Sequence, residues 1–150
     1  MIVVVDASVA VKWFFKERAD ETDTVAATDV LRGVRDGRIQ MVEPPHFLAE
    51  VASVLVRLDR EAALENLVDL DQLNWNAVES ISVYRLAMEL SAHLHHHLFD
   101  TLYHATSLLT ERATFVTADE RYYEKACGQG GIVRLADFEL PGMTGEAPLH

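Results

Sequence analysis

Cysteine, glycine and proline are scarce in this 150-residue chain. The single cysteine, Cys127, excludes an intrachain disulfide framework, and we expect it to be a small buried side chain. With 7 glycines and 4 prolines, the chain is neither collagen-like nor of low complexity. No apolar run approaches the roughly 18 residues of a membrane span. The first charged side chain is Asp6, and no basic leader precedes it. We therefore expect the first residues to form a strand rather than a signal peptide, and the protein to be cytoplasmic.

Basic residues are also in short supply. The chain has 13 Lys and Arg against 24 Asp and Glu, which gives a formal net charge of −11. Such a chain is not an obvious nucleic-acid binder, because affinity for phosphates depends on basic contacts. Either its partners are not anions or a cation offsets the acids locally. The remaining composition, 49% hydrophobic and 25% charged, is typical of one soluble globular domain.

Short β-branched runs alternate with segments of helical periodicity along the chain. This alternation, without hairpin signals, predicts an α/β sandwich with a largely parallel sheet. No linker or repeat divides the chain, so we expect one domain over residues 1–140 and a flexible tail over 141–150. We predict strands at 2–5, 39–42, 78–83, 114–117 and 132–134, and helices at 9–15, 17–35, 46–58, 61–73, 85–95, 101–111 and 119–126.

Four acidic residues occupy positions where such a fold places its chemistry. Sites in open parallel sheets lie beyond the carboxyl ends of the strands, and both Asp6 and Asp119 directly follow predicted strands. Asp100 opens the predicted helix over 101–111. Glu50 belongs to the apolar stripe of its helix, where a carboxylate is costly unless something pairs with it.

Each of these acids also has a simpler interpretation. Asp6, Asp100 and Asp119 precede helices, where an N-capping Asp contributes about 1 kcal/mol, and Glu50 could be a salt-bridged edge residue. If all four converge, two unit charges ~5 Å apart repel by about 3 kcal/mol at an effective dielectric of ~20. The cluster then needs cations or raised pKa values. Oxygen ligands favour Mg²⁺ or Mn²⁺ over zinc, and such ions assist phosphoryl displacement by water.

Four short segments carry these acids in a distinctive order. They are Val3-Val-Val-Asp6-Ala-Ser8, Pro45 followed by Glu50-Val51, Phe99-Asp100-Thr-Leu-Tyr103-His-Ala105, and Thr114-Phe-Val-Thr117-Ala-Asp119. Taken together, they resemble the motifs of the PIN-domain ribonucleases, and in particular those of VapC-type toxins. The resemblance extends over about residues 1 to 135.

The resemblance implies a three-layer α/β/α sandwich with a mainly parallel central sheet. It implies a metal-dependent endoribonuclease in which Asp6, Glu50, Asp100 and Asp119 surround Mg²⁺ or Mn²⁺, with Ser8 and Thr117 as accessory polar residues. It further implies the toxin of a type II toxin–antitoxin pair, a homodimer, a cognate antitoxin and a structured substrate such as transfer or ribosomal RNA.

A mechanistic hypothesis follows from this carboxylate set. Asp6, Asp100 and Asp119 hold one or two metal ions, and Glu50 orients or deprotonates the attacking water. In-line attack then leaves 5′-phosphate and 3′-hydroxyl ends. No 2′-hydroxyl nucleophile and no catalytic histidine is needed.

Several histidines and arginines, besides the four acids, have more than one interpretation. The segment His93–His97 lies outside the pattern and could bind a transition metal or form a solvated helix end. His104 could approach the site or pair with Asp100 on the surface. Four arginines have two interpretations, either as a basic rim that binds RNA or as part of ordinary solvated helix faces. They are Arg32, Arg35, Arg57 and Arg60.

Three further alternatives remain open at this level. Residues 13–15, Trp-Phe-Phe, belong either to the core or to an antitoxin groove. An aspartate-nucleophile phosphatase would need a second Asp at the position of Ser8. A non-catalytic acidic interaction module would have no need of Glu50 within an apolar stripe.

Overall fold

The computed structural model describes residues 1–15 and 23–142. Its centre is a five-stranded sheet in which every neighbouring pair of strands is parallel. The strand order is β3-β2-β1-β4-β5. The strands are β1 (Ile2–Val5), β2 (Gln40–Glu43), β3 (Trp75–Ala77), β4 (Ala113–Thr117) and β5 (Ile132–Arg134).

Helices flank this sheet and complete a three-layer α/β/α sandwich, as predicted. Parallel strands require such crossover connections, which here are mostly helical. Short 3₁₀ turns follow α1, α7 and β5, at Val11–Trp13, Cys127–Gln129 and Leu135–Asp137. The α-helices of the described chain are α1 (Ala7–Ala10), α2 (Thr24–Arg35), α3 (Phe47–Leu58), α4 (Ala63–Asp71), α5 (Ile81–Leu94), α6 (Leu98–Leu109) and α7 (Glu120–Ala126). None of these helices has the length and apolar character that crossing a membrane demands.

Strand β1 explains where the candidate site forms. Its residues Val3, Val4 and Val5 are fully buried, as expected for a β-branched run in a central strand covered on both faces. Val5 is in register with Val116 of β4, and the next backbone N–H, that of Asp6, donates to the Val116 carbonyl at 3.0 Å. The two central strands therefore end side by side and deliver Asp6 and the residues after β4 to one edge of the sheet.

The predicted strand over 78–83 is wrong. The strand lies earlier, at Trp75–Ala77, and the backbone N–H of Val78 extends its pairing to the Glu43 carbonyl at 2.8 Å. Ser80 then caps α5, because its hydroxyl accepts from the backbone N–H of Val83 at 3.2 Å. This cap turns the apolar residues after Ser80 into helix rather than strand.

Two smaller expectations also change. The predicted helix over 9–15 is a single turn, α1, that continues as a 3₁₀ turn, and α2 begins at Thr24, while residues 17–22 lie outside the described chain. Cys127 is exposed rather than buried, because it opens a 3₁₀ turn beyond the last packed residue of α7.

The aromatic residues after α1 belong mainly to the core. Trp13 and Phe15 are 6% and 7% exposed, and the Trp13 indole N–H donates to the Ala27 carbonyl of α2 at 2.8 Å. An antitoxin groove lined by these two rings would require them to leave the core. The core interpretation therefore holds for Trp13 and Phe15.

Candidate functional site

Asp6 lies at the carboxyl end of β1 and is 6% exposed. The hydroxyls of Ser8 and Thr117 both donate to its Oδ2 atom, at 2.8 and 2.7 Å. The Ser8 hydroxyl in turn accepts from the backbone N–H of Ala118, and the Thr117 hydroxyl accepts from that of Asp119. Ser8 and Thr117, predicted as accessory residues, thus link Asp6 to the chain that follows β4.

The environment of Asp6 opposes its negative charge. Burial raises the pKa of this carboxyl from 3.8 to about 7, although the hydrogen bonds from Thr117 and Ser8 act in the opposite direction. The charges of Glu50 and Asp100 raise the pKa further. The Asp6 side chain makes no hydrogen bond that caps α1, so helix capping does not account for an aspartate at this position.

Glu50 projects from α3 towards the same region and retains 29% of its side-chain exposure. The hydroxyl of the buried Tyr103 donates to Glu50 Oε2 at 3.0 Å, and His46 Nε2 lies 3.2 Å from the same oxygen. His46 Nε2 also contacts the Phe99 carbonyl at 2.8 Å. Because both partners of this nitrogen are acceptors, it carries the hydrogen. The stripe position predicted for Glu50 therefore places a firmly oriented carboxylate at the site.

Asp100 lies in the first turn of α6, as its third residue rather than as its N-cap. Its Oδ2 atom is 2.7 Å from Nε2 of His96, in the short link between α5 and α6. Burial raises the pKa of Asp100, and the charges of Glu50 and Asp119 act in the same direction, while the hydrogen bond with His96 opposes them. Asp100 is thus coupled to both neighbouring acids.

Asp119 both caps a helix and lies close to other potential metal ligands. Its Oδ1 atom accepts from the backbone N–H of Tyr122 at 3.0 Å and caps α7, as one interpretation of the sequence predicted. It also belongs to a tight group, since one ligand atom from each of His96, Asp100 and Asp119 lies within 4.8 Å of the others. Asp6 and Glu50 lie outside this group, but the charge of Glu50 acts on both Asp6 and Asp100, and the charge of Asp100 acts on Asp6.

The four predicted acids share one feature of their hydrogen bonding. In each, one oxygen is held by the protein, while no hydrogen bond within the described residues engages the other. Carboxylates that repel one another and keep one oxygen without a hydrogen bond are the donor set that Mg²⁺ or Mn²⁺ accepts. The residues present therefore fit a divalent cation. The four oxygens that no hydrogen bond among the described residues engages are Asp6 Oδ1, Glu50 Oε1, Asp100 Oδ1 and Asp119 Oδ2.

The site contains a fifth carboxyl, that of Glu43, which the sequence motifs did not predict. It ends β2, is fully buried, and accepts the backbone N–H of Val5 through Oε1 at 2.7 Å, whereas Oε2 has no hydrogen-bond partner among the residues that the structure describes. Burial raises the pKa of Glu43 well above 4.5, and the charges of Asp6 and Glu50 add to the effect. An acid directly after the predicted strand over 39–42 was the available signal, by the same rule that selected Asp6 and Asp119.

Neither interpretation of His104 is correct. The ring is fully buried and hydrogen-bonds the Tyr122 hydroxyl through Nδ1 at 2.9 Å and the Gly130 carbonyl through Nε2 at 2.7 Å. Burial lowers the pKa of this imidazole. These contacts pack α6 against α7 and the turn that follows it. His104 does not form a surface pair with Asp100, four residues earlier, because its ring faces the core.

The arginines proposed as a basic rim lie elsewhere. Arg32 and Arg35 occupy the last turn of α2, which leads into the amino end of β2, at the sheet edge opposite Asp6. Arg32 pairs with Asp29 at 2.9 Å. Arg57 lies seven residues beyond Glu50, about 10 Å along α3, and Arg60 follows that helix. An RNA role for these side chains stays a prediction.

An open cleft of about 450 Å³ adjoins the acids. The Phe99 ring on its wall is 59% exposed and lies next to Asp100 in the chain. The cleft is bordered by His46, Ala49, Glu50, His97, Phe99 and Asp100.

Comparisons with known proteins agree with this architecture. Residues 3–127 match the PIN domain family. A Rickettsia felis structure, VapBC2 bound to a DNA fragment from its promoter, aligns with TM-score 0.64 and 14% identity over 89% of this chain and 98% of that one. A Klebsiella pneumoniae toxin–antitoxin complex aligns with TM-score 0.62 and 15% identity over 89% and 97%. The search of curated proteins finds no match. With the family match spanning most of its length, the chain belongs to the PIN domain family.

Proposed function

We propose that this protein is a metal-dependent endoribonuclease and the VapC-type toxin of a type II toxin–antitoxin pair. Asp6, Glu50, Asp100 and Asp119 are the proposed catalytic and metal-binding residues. The observation that carries the proposal is their shared geometry, in which each carboxylate repels at least one of the others and, within the described residues, keeps one oxygen without a hydrogen bond. Membership of the PIN family and the likeness to two toxin–antitoxin structures support it.

The roles of the side chains follow from their contacts. Bound Mg²⁺ or Mn²⁺ would acidify a water molecule and stabilise the oxygens of an in-line phosphoryl displacement. Glu50 is held through Oε2 by Tyr103 and His46, so its Oε1 atom can orient the attacking water and take its proton. Ser8 and Thr117 fix the Asp6 carboxylate, which limits the reorganisation needed when substrate binds.

RNA is the proposed substrate, with transfer or ribosomal RNA as candidate targets. A chain of net charge −11 gains little from general attraction to phosphates. The exposed Phe99 ring beside Asp100 offers a stacking surface instead, which favours an unpaired nucleotide over a duplex.

A cognate antitoxin is the proposed protein partner. The Rickettsia felis and Klebsiella pneumoniae structures that share this fold are toxin–antitoxin complexes. The homodimer that the family resemblance implies stays a prediction, which light scattering of the purified protein can check.

Metal binding provides the first test. Mn²⁺ or Mg²⁺ at about 100 times its dissociation constant is expected to stabilise the fold by roughly 2.7 kcal/mol, measured as a rise in the thermal unfolding midpoint. Asp119→Asn should lose most of that rise. Asp59→Asn is the matched control, because Asp59 also accepts a backbone N–H three residues on, from Ala62 at 3.2 Å, but lies away from the acids. An equal metal response in both variants would remove Asp119 from the ligand set.

Cleavage chemistry provides the second test. With Mn²⁺, the protein is expected to cut RNA and leave 5′-phosphate and 3′-hydroxyl ends, because water and not the ribose hydroxyl is the nucleophile. End-group analysis of the fragments, with EDTA as the control, measures this directly. Products ending in 2′,3′-cyclic phosphate would contradict the mechanism. Metal binding without cleavage of any RNA tested would favour the non-catalytic interaction module.

A further inference from the structure

The tightest group of potential metal ligands in the described chain includes a histidine. His96 comes from the link between α5 and α6, Asp100 from α6, and Asp119 from the segment after β4, yet their ligand atoms lie within 4.8 Å of one another. Three separate elements therefore meet at this point. The mixed nitrogen and oxygen donor set differs from the four carboxylates of the proposed function.

The spacing of these atoms suits direct coordination of one ion. His96 Nε2 and Asp100 Oδ2 are 2.7 Å apart. Neighbouring ligands of an octahedral ion with bonds of about 2.1 Å are separated by about 3 Å. An ion held between these two atoms would replace their hydrogen bond, so Asp100 would bind it through Oδ2, and the ligand atom of Asp119, within 4.8 Å of both, would complete the set.

His96 is held with its Nε2 atom towards the acids. Its side chain is 10% exposed and its ring packs on Tyr122, with ring centroids 4.8 Å apart. The Lys125 ammonium lies 3.3 Å from Nδ1 on the opposite side of the ring. Because an ammonium group only donates, Nδ1 accepts and Nε2 faces Asp100. The neighbouring His93 is exposed.

We infer that His96 is a nitrogen ligand of a metal centre with Asp100 and Asp119, and that it makes the centre favour transition-metal ions such as Mn²⁺ or Co²⁺ over Mg²⁺. Imidazole nitrogen binds transition metals well, whereas Mg²⁺ prefers oxygen ligands and retains much of its water. On coordination, the ring hydrogen moves to Nδ1, so Nδ1 no longer accepts from Lys125, whose ammonium keeps its other contact, with the His95 carbonyl at 3.2 Å. This inference rests on the proposed function and specifies its metal.

The test compares Co²⁺ and Mg²⁺ binding by titration calorimetry in the wild-type protein and three variants. His96→Gln can still donate a hydrogen bond to Asp100 but lacks the imidazole nitrogen. We expect it to weaken Co²⁺ binding at least tenfold, change Mg²⁺ binding less than threefold, and alter the visible absorption of bound Co²⁺. His93→Gln, the matched control on an exposed residue of α5, should leave both affinities and the spectrum unchanged. His96→Asn, a second variant with a shorter amide, should show the same selective loss.

The alternative outcomes are distinct from one another. Equal weakening of Co²⁺ and Mg²⁺ binding in His96→Gln would overturn the inference and make His96 a positioning residue for Asp100. An unchanged Co²⁺ affinity and spectrum would place His96 outside the centre altogether. If neither ion binds the wild-type protein, the proposed function itself fails together with the inference.

Discussion

Replacing Asp6 with Asn is expected to reduce metal-dependent RNA cleavage at least about a hundredfold while making the folded protein more stable at pH 8. The loss of activity follows from removing a carboxylate from the proposed metal site. The gain in stability follows from the burial of Asp6, which is 6% exposed. The asparagine carbonyl oxygen can still accept the hydroxyls of Ser8 and Thr117, so the local structure should survive.

The sign of the stability change depends on pH. The pKa of Asp6 is about 7 in the folded protein, against an ordinary value of 3.8. Below pH 3.8, the carboxyl is protonated whether the chain is folded or unfolded, so its ionisation costs nothing. As the pH rises from 3.8 to 7, only the unfolded chain releases the proton, so the wild-type protein loses stability. The difference between the two pKa values corresponds to a loss of at most about 4 kcal/mol, complete above pH 7.

Urea unfolding of both proteins in EDTA, at pH values from 5.5 to 8.5, measures this effect. The advantage of Asp6→Asn should grow up to about pH 7 and then level off. In thermal unfolding, each kcal/mol corresponds to roughly 2–4 °C for a domain of this size. Asp36→Asn, a change at an exposed turn, should alter neither activity nor the pH dependence. A variant with full cleavage activity at saturating Mn²⁺ would take Asp6 out of the site.

A site of this kind conflicts with the stability of its own fold. Burial and neighbouring acids raise the pKa values of Asp6, Asp100 and Glu43, so each carboxylate is held in a place that disfavours its charge. A bound divalent cation would reverse this preference, because it favours the ionised form. The destabilisation would therefore be the physical counterpart of the proposed affinity for metal.

Much of this site was accessible from the sequence because of one topological rule. Parallel strands place the residues after them at one sheet edge, so Asp6 and Asp119 could be selected from strand ends alone. Glu50 was found differently, as a charge within an apolar helical stripe. The parallel sheet itself followed from strands alternating with helices.

The remaining features depend on contacts between distant segments. The role of His96 arises from a loop geometry that places its ring between Asp100, Tyr122 and Lys125, and its neighbours in the histidine run are mostly exposed. His104 was misassigned because periodicity identifies a buried face but not its hydrogen-bond partners. The misplaced third strand shows that a single capping residue, Ser80, decides between helix and strand for a short apolar run.

Glu43 provides the second prediction, since it is a fully buried acid with one unpartnered oxygen. Burial raises its pKa well above 4.5, so we expect the folded protein to keep this carboxyl neutral to a higher pH than the unfolded chain does. Glu43→Gln preserves both the neutral charge and the acceptor for the Val5 backbone N–H. Below pH 4.5, where the carboxyl is protonated in the folded and the unfolded chain, we therefore expect the free energy of unfolding to change by less than about 1 kcal/mol. As the pH rises above 4.5, the unfolded wild-type chain ionises at this position more readily than the folded one, so Glu43→Gln should become the more stable protein.

Glu43→Ala should behave very differently, because it leaves the Val5 N–H without an acceptor and opens a cavity beneath the site. The combined cost is about 3 kcal/mol in the free energy of unfolding relative to Glu43→Gln, measured for both variants with urea in EDTA at the same pH. The pH dependence of Glu43→Gln decides the charge of Glu43. If the stability difference between the wild-type protein and Glu43→Gln stays constant from pH 4 to pH 8, the pKa of Glu43 is not raised by folding, and the side chain is an ionised carboxylate at neutral pH. Glu43 would then join Asp6 and Glu50 in one continuous negatively charged cluster.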